Sequence, residues 1–216
     1  MHKDTPKKAL SGAAMAALAF IIPAWIQPGL LGFAHPWVLL LFGAVAHVYQ
    51  PAYSPTEKAR TPEDRWTAAQ IIWSIYLCNI AALLEAVLLR WPESMAYDGW
   101  ALLGAGLMVA GLALRSWAVL VLGRWFSWNV RFQEGQQLVR TGPYRLVRHP
   151  SYTGAMLSYF GLPMLFHSWW TLLFAAVALP LAFRRRIHHE ERLLRRELDE
   201  YDEYASSVPA IIPGLF

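Results

Sequence analysis

Charged residues are missing from long stretches of this chain, and these stretches alternate with short segments rich in Lys and Arg. Residues 9–50 and 149–183 contain no Lys, Arg, Asp or Glu, and two further stretches contain a single charge each, Glu85 and Arg115. A helix needs about 20 mostly apolar residues to cross a bilayer. The pattern predicts six apolar segments, at about 9–27, 36–50, 67–90, 99–122, 152–166 and 169–183.

The last two segments are shorter than a bilayer crossing. Each has about 15 residues, or roughly 22 Å of helix, whereas the hydrocarbon core is about 30 Å thick. We therefore expect a tight helical hairpin here. The charged tail after Phe183 carries an apolar stripe at helical spacing, formed by Ile187, Leu194, Leu198 and Tyr201. It predicts a separate amphipathic helix that folds back on the cytoplasmic loops and ends before Pro209.

The predicted fold is an all-α integral membrane protein with about five to six transmembrane segments, including the C-terminal hairpin, plus the amphipathic tail helix. Composition agrees, because 56% of the residues are apolar and only 16% are charged, whereas soluble domains carry about 25% charged residues. The single cysteine, Cys78, excludes an intramolecular disulfide and a thiolate zinc site. The net charge of +4 requires no nucleic acid, since an anionic leaflet attracts the same residues.

The basic residues predict an orientation. They precede the first segment, follow the sixth, and fill two connections, in which Lys58 and Arg60 lie before the third segment and five Arg lie within 123–150. Because Lys and Arg concentrate in cytoplasmic loops, we expect both termini and the 123–150 loop to be cytoplasmic. A signal peptide is an alternative for the N-terminus, but the spans that follow favour a retained helix.

Glu85 and Arg115 are not expected to pair. Their predicted depths in the membrane differ by roughly 16 Å at about 1.5 Å per residue. Arg115 therefore either extends to the interface or lines a cavity, and we favour the cavity. Nearby, the Gly104 to Gly106 run resembles the start of a dinucleotide fingerprint, but it lies inside a membrane span. We expect it to serve helix packing through Gly106 and Ala110.

The densest chemistry lies between residues 136 and 154. A turn is predicted at Gly142-Pro143, and Pro150 suits the first position of a helix, so His149 should lie at the cytoplasmic mouth of the fifth segment. Helix N-terminal amides and two nearby Arg would attract a carboxylate or phosphate. An ordinary helix cap in a basic, membrane-proximal loop explains the same residues, and local physics leaves both interpretations open.

A second polar group follows the last apolar segment. Arg186 and Glu190 lie one helical turn apart on one face, so both side chains can reach a cavity beside the hairpin. The alternative is a solvated helix with internal salt bridges. A metal site at His188, His189 and Glu190 is disfavoured, because adjacent helical residues point about 100° apart.

Three motifs in this order resemble the isoprenylcysteine carboxyl methyltransferase family and the related membrane phospholipid methyltransferases. They are GPYxxxRHPSYTG at 142–154, RxxxEE at 186–191, and Glu-Tyr-x-x-Tyr followed by Val-Pro at 200–209. The resemblance covers about residues 112–213. It implies N-terminal transmembrane helices at 1–98 and a membrane methyltransferase catalytic region at 99–216, with an S-adenosylmethionine pocket that faces the cytoplasm.

The resemblance also implies roles for individual residues. The cofactor contacts it implies are Gln136, Gln137, Leu138, Val139, Tyr144, His149, Pro150, Ser151, Tyr152 and Glu190. Arg186 matches the arginine that the family places at the substrate carboxylate, so Arg186 and Glu190 are the catalytic candidates, and Arg115 is a second candidate for binding substrate. Two positions depart from the family, because Gln136 replaces the His of eukaryotic members and Pro143 replaces a small apolar residue. These departures affect the expected substrate more than the cofactor.

The expected reaction is methyl transfer to a lipophilic acceptor that enters from the bilayer, with no metal. A hydrophobic carboxylate, such as an isoprenylcysteine, is ionised at neutral pH and needs no base, and Arg186 would orient it bidentately. A phospholipid amine or a small thiol would instead need a base such as Glu190 or His149. A noncatalytic lipid-binding scaffold or transporter subunit is the alternative from another class, and it would leave His149 and Glu190 apart in solvent.

Overall fold

The computed structural model describes residues 5–50 and 63–212, and within these ranges it contains helices and no strand. Lys58 and Arg60, which contribute to the predicted orientation, lie outside the described residues. The α-helices are α1 (Thr5–Leu18), α2 (Ile21–Ile26), α3 (Ala34–Tyr49), α4 (Thr67–Leu88), α5 (Gly99–Leu122), α6 (Pro150–Leu165), α7 (Trp169–Glu197) and α8 (Tyr201–Ser207). Single 3₁₀ turns at Pro28–Gly32, Glu93–Met95, Gly123–Trp125 and Gly142–Arg145 lie between them.

Helices occupy all six predicted apolar segments, and the all-helical fold is confirmed. The first segment is divided into α1 and α2, whereas α5 coincides with the predicted 99–122. Within residues 5–50 and 63–212, two helices are long and apolar enough to cross a membrane, Thr67–Leu88 with a mean hydropathy of 2.0 and Gly99–Trp125 with 1.9. α3 is a shorter apolar helix.

The separate tail helix expected after Phe183 is wrong in its boundary. α7 runs without interruption from Trp169 to Glu197, through Pro180 and into the charged segment. Only α8, seven residues long, is separate, and it ends before Pro209 as expected. The change from apolar to charged residues does not end the helix, because its backbone hydrogen bonds are internal.

α5 and α6 pack closely because glycines face each other at two levels. A Cβ at Gly104 would lie 2.6 Å from the Gly161 carbonyl oxygen, and a Cβ at Gly111 would lie 2.5 Å from the Ser158 hydroxyl. The expected contact through Gly106 and Ala110 is wrong, because both residues are exposed and a Cβ on Gly106 would meet nothing within 4 Å. Small residues permit backbones to approach, and the face of α5 that uses them carries Gly104 and Gly111, on the opposite side of the helix from Gly106.

Glu85, on α4, caps the N-terminus of α7. Its carboxylate accepts hydrogen bonds from the amides of Trp170 at 3.0 Å and Thr171 at 2.8 Å, which are among the unpaired donors of the first turn. Arg90 lies 3.6 Å away. Glu85 therefore holds the hairpin turn against α4 and, as expected, does not pair with Arg115.

Candidate active site

One cavity opens between α4, α5, α6, α7 and the loop that joins α5 to α6, and it encloses about 1260 Å³ including open space at its mouth. Its lining contains every predicted site residue except Pro150: Arg115, Gln136, Gln137, Leu138, Val139, Tyr144, His149, Ser151, Tyr152, Arg186 and Glu190. Pro150 is fully buried at the first position of α6, where its missing N–H costs nothing. Its part is to begin the helix that positions Ser151 and Tyr152.

His149, Tyr152 and Glu190 form the polar centre of the cavity. The His149 and Tyr152 rings stack with centroids 5.3 Å apart, and the Tyr152 hydroxyl donates to the Glu190 carboxylate at 2.5 Å. The Glu190 carboxylate also lies 3.9 Å from Nδ1 of His149. Since the Glu190 side chain is 30% exposed whereas His149 is buried, this carboxylate remains accessible to a ligand.

Glu191, which the sequence analysis did not single out, holds His149 and Arg148 in place. One of its oxygens lies 3.1 Å from Nε2 of His149 and accepts from Nε of Arg148 at 2.8 Å. Arg195 donates to the other oxygen at 3.0 Å. Burial alone would raise the pKa of Glu191, but the hydrogen bonds and charges of His149 and Arg148 lower it to about 2. The sequence does contain one indication of this role. Glu190 and Glu191 are adjacent on a helix and so project to different sides of it, which implies that they have different partners.

The donors just before the start of α6 bind the C-terminal segment in this structure. The backbone amides of Arg148 and His149 donate to the carbonyls of Pro209 at 2.8 Å and Ala210 at 2.9 Å. The Arg148 guanidinium also donates to the carbonyls of Ala205, at 2.8 Å, and Val208. These donors therefore hold the C-terminal segment against the loop.

Arg186 is held by a buried network that the sequence did not predict. Its Nε donates to the Tyr152 hydroxyl at 3.0 Å, and one terminal nitrogen donates to the Trp128 carbonyl at 2.7 Å. The other terminal nitrogen pairs with Asp64, which also accepts from the Thr67 hydroxyl at 3.2 Å. All three nitrogens are engaged, so the expected bidentate grip on a carboxylate would require these contacts to change.

Arg115, in contrast, is a buried cation without an acidic partner among the described residues. It donates to the Gln50 side chain at 2.8 Å, and to the carbonyl and hydroxyl of Ser151 at 3.1 and 2.8 Å. Its guanidinium lies 5.2 Å from the centre of the Trp128 ring. The expected position at a cavity is confirmed, and an uncompensated buried charge favours an anionic ligand.

The remaining walls are apolar and aromatic. The α4 wall consists of Ala68, Ile71, Ile72 and Ile75, and Phe183 and Tyr159 face the cavity from the hairpin. Motif reasoning missed this wall, because an apolar membrane helix carries no signal that distinguishes a cavity face from a lipid face. Within the described ranges, no three His, Cys, Asp or Glu side chains are grouped as metal ligands, and His188 instead contacts Arg192.

The chain matches the isoprenylcysteine carboxyl methyltransferase (ICMT) family over residues 103–196. It is 29% identical over 178 residues to a probable protein-S-isoprenylcysteine O-methyltransferase of Oryza sativa subsp. indica, a match that covers 81% of this chain and 92% of that protein. It is 32% identical over 113 residues to protein-S-isoprenylcysteine O-methyltransferase B of Arabidopsis thaliana, covering 51% of this chain and 57% of that protein.

A bacterial protein with another name is similar as well. The chain is 29% identical over 145 residues to the nickel-cobalt-cadmium resistance protein NccN of Alcaligenes xylosoxydans xylosoxydans, covering 67% of this chain and 64% of that protein. The matched region of the family includes the loop, the hairpin and the Arg186 to Glu191 motif around the cavity. On these matches, residues 103–196 of this chain are similar to the isoprenylcysteine carboxyl methyltransferase family.

Proposed function

We propose that this chain is an integral membrane methyltransferase that transfers a methyl group from S-adenosylmethionine to a lipophilic carboxylate such as an isoprenylcysteine. One observation carries the proposal: His149, Glu190 and Arg186 meet in a single cavity with an apolar wall, inside the region that matches the family. A scaffold that only binds lipid has no need of this convergence. The 3.9 Å between His149 and Glu190 therefore favours the enzyme.

The lining suits an adenosyl amino acid at its polar end. Glu190 can accept hydrogen bonds from an amino group or from ribose hydroxyls, and residues 136–139 supply a wall of loop backbone and side chains. The Tyr201 hydroxyl is buried in this lining without a hydrogen-bond partner. Buried polar groups are nearly always paired, so an orphan in a cavity wall supports a polar ligand there.

When bound, S-adenosylmethionine would supply a methyl group from a positively charged sulfur, which would leave with the sulfur–methyl bonding electrons as a carboxylate oxygen takes the methyl group. An ionised carboxylate needs no proton acceptor, so the chain's contribution is alignment and the exclusion of water. Arg115 is the side chain best placed to hold the carboxylate, because its charge has no acidic partner in the described part of the chain. Arg186, fixed by Asp64, supports Tyr152 and the electrostatics beside it.

The apolar end of the cavity accounts for a lipophilic acceptor. Ile71, Ile72 and Ile75 line the cavity from α4, and Phe183 lines it from the hairpin. An isoprenoid or acyl chain would bury apolar area against this wall, which contributes about 25 cal/mol per Å². Since α4 supplies this wall, the predicted N-terminal region 1–98 takes part in substrate binding as well as in anchoring.

We place the chain in the membrane as a multi-pass protein of about five to six segments, with both termini and the cavity mouth on the cytoplasmic side. The support is the alternation of apolar helices with basic connections. Cytoplasmic loops carry the excess of Lys and Arg. The Arg residues of the 123–150 loop and of the end of α7 then share a side, and both elements border the cavity.

Methyl transfer by the purified protein in detergent tests the proposal. The donor is methyl-tritiated S-adenosylmethionine, and the acceptors are a prenylcysteine analogue, phosphatidylethanolamine and a lipophilic thiol, each assayed separately. We expect label on the prenylcysteine that mild base releases as volatile methanol, since esters hydrolyse and methylamines and thioethers do not. Glu190→Gln should lower the rate at least about 10-fold, as loss of a charged hydrogen bond implies, whereas the exposed Glu134→Gln should match wild type.

The other outcomes identify the alternatives. Base-stable label on the amine or the thiol would show that this group, and not a carboxylate, is the acceptor. Glu190 would then be a candidate base. Absence of both transfer and cofactor binding in folded wild-type protein would contradict the enzyme and favour the scaffold.

A further inference from the structure

The hydroxyl of Tyr201 is a buried polar group without a hydrogen-bond partner. Tyr201 begins α8, its side chain is only 1% exposed, and its hydroxyl oxygen is buried without a hydrogen-bond partner. A buried hydroxyl without a partner destabilises the fold, because the group has lost its water and gained nothing. Phe at this position would fill the same space without that cost. The presence of Tyr therefore requires an explanation.

The neighbours of Tyr201 do not supply a partner. The Glu191 oxygens already accept from Arg148, His149 and Arg195. The Arg195 guanidinium lies over the Tyr201 ring, 5.7 Å from its centre, where it contacts the ring face and not the hydroxyl.

The adjacent tyrosine of the same motif shows the contrast. Tyr204 packs edge-on against Tyr201 with centroids 6.0 Å apart, and its hydroxyl donates to the Tyr144 carbonyl at 2.7 Å. Its role is thus structural, since it ties α8 to the 3₁₀ turn at Gly142–Arg145. Both tyrosines line the cavity, but only the hydroxyl of Tyr201 is left without a partner.

The location of Tyr201 indicates what the partner is. It lines the same cavity as Glu190 and His149. Arg131 is another lining residue with an orphan nitrogen, but it is only half-buried. Burial raises the pKa of Tyr201 above its ordinary value, so the hydroxyl keeps its proton and can donate a hydrogen bond at neutral pH.

We propose that Tyr201 is a further cofactor-binding residue, whose hydroxyl hydrogen-bonds a polar atom of the adenosyl amino acid that occupies this cavity. The inference rests on the proposed function, because it takes its ligand from it. It assigns the Glu-Tyr-x-x-Tyr segment two duties: Tyr204 fastens α8 to the loop, and Tyr201 contacts the ligand. The start of α8 is then part of the cofactor site.

The test compares Tyr201→Phe with two other Tyr→Phe variants. Binding of S-adenosylhomocysteine to the full-length protein in detergent is measured by calorimetry, and unfolding of the ligand-free protein is followed by tryptophan fluorescence. Tyr201→Phe should weaken binding about 5- to 20-fold, the range expected for one hydrogen bond to a ligand. The same substitution should leave the melting temperature of the ligand-free protein unchanged or raise it, because it removes an unsatisfied group.

The controls separate this result from a structural effect. Tyr204→Phe deletes a hydroxyl that has a partner, so it should lower the melting temperature of the ligand-free protein. Tyr76→Phe, on an exposed part of α4, should change neither quantity. Wild-type affinity in Tyr201→Phe would overturn the inference, and so would a lower melting temperature with unchanged affinity, which would identify an ordered water as the partner. If wild-type protein fails to bind S-adenosylhomocysteine, the proposed function itself fails.

Discussion

Two adjacent acidic residues on α7 have different surroundings and therefore different functions. Glu191 is buried and accepts from His149, Arg148 and Arg195, whereas Glu190 is part-exposed beside the Tyr152 hydroxyl. The three donors make Glu191 a structural anion that fixes the orientation of His149. Glu190 keeps the capacity to accept from a ligand. The sequence motif contains both residues, but only the structure distinguishes them.

Glu191 should make stability depend on acidic pH. Its pKa is lowered to about 2 from an ordinary 4.5, so the stabilisation is complete above about pH 5 and is lost as the pH falls from there towards 2. We expect the melting temperature of wild-type protein in detergent to fall across this range. Glu191→Gln should start lower at pH 7 and show a shallower fall. The exposed Glu134→Gln should follow wild type, and an equal slope in Glu191→Gln and wild type would contradict the assignment.

Asp64 should be essential for stability because it is the counterion of buried Arg186. Asp64→Asn removes the ion pair of a buried guanidinium, a change that costs about 3–5 kcal/mol. Thermal unfolding in detergent measures the effect. Asp199→Asn is the matched control, since Asp199 is exposed and makes no ion pair within the described residues. A loss no larger than that of Asp199→Asn would show that Asp64 does not hold Arg186.

For individual residues, the sequence identifies the members of local motifs but not the partners that lie far from them along the chain. His149, Tyr152, Arg186 and Glu190 could be predicted because they lie within two short motifs. Asp64 could not, because it lies 122 positions from Arg186 in a connection without any motif. A buried ion pair depends on the folded arrangement of helices, which no local pattern specifies.

The contact between α5 and α6 determines the geometry of the whole site, since these helices carry Arg115 and Ser151. Glycines seven residues apart on each helix, 104 with 111 and 154 with 161, face each other. Seven residues are close to two helical turns, so each pair lies on one face. This matched spacing was present in the sequence, but small residues on several faces of α5 left the packing face undetermined.

Two alanine substitutions on α5 should have opposite effects. A Cβ at Gly111 would lie 2.5 Å from the Ser158 hydroxyl and 2.6 Å from its amide nitrogen, so Gly111→Ala forces the helices apart. We expect a loss of about 1–3 kcal/mol. Gly106→Ala meets open space and should be neutral or stabilise by up to about 1 kcal/mol, because Ala is the better helix former. The melting temperatures of the two variants in detergent test this. Equal losses of stability would show that α5 does not contact α6 through the face that carries Gly111.

Helix boundaries followed the sequence closely where a cap or a proline marked them and poorly where only polarity changed. Asp98 accepts from the Ala101 amide at the start of α5, and Pro150 begins α6, both near the predicted positions. α7 instead continues past Phe183, because the arginines that follow are good helix formers and nothing interrupts the backbone ladder. A change in residue polarity along a chain therefore does not by itself mark the end of a helix.

For the molecule as a whole, the apolar helices and the basic connections imply one orientation in the membrane, and labelling in intact cells tests it. With buried Cys78 replaced by Ala, cysteines are introduced at Glu134, in the α5–α6 loop, or at Glu93, between α4 and α5; both positions are exposed. A membrane-impermeant maleimide should label Glu93→Cys at once and Glu134→Cys only after the membrane is permeabilised. The reverse pattern would place the cavity mouth on the outer side.

The central claim is that the cavity between the hairpin, the loop and the C-terminal segment binds S-adenosylmethionine. Ultraviolet cross-linking of methyl-tritiated S-adenosylmethionine to the purified protein, followed by peptide mapping, tests it most directly. We predict label on peptides that contain Tyr144, Tyr152 or residues 186–204, and loss of that label with excess S-adenosylhomocysteine and in His149→Ala. Label confined to α1–α3, or label that excess S-adenosylhomocysteine does not displace, would contradict the account.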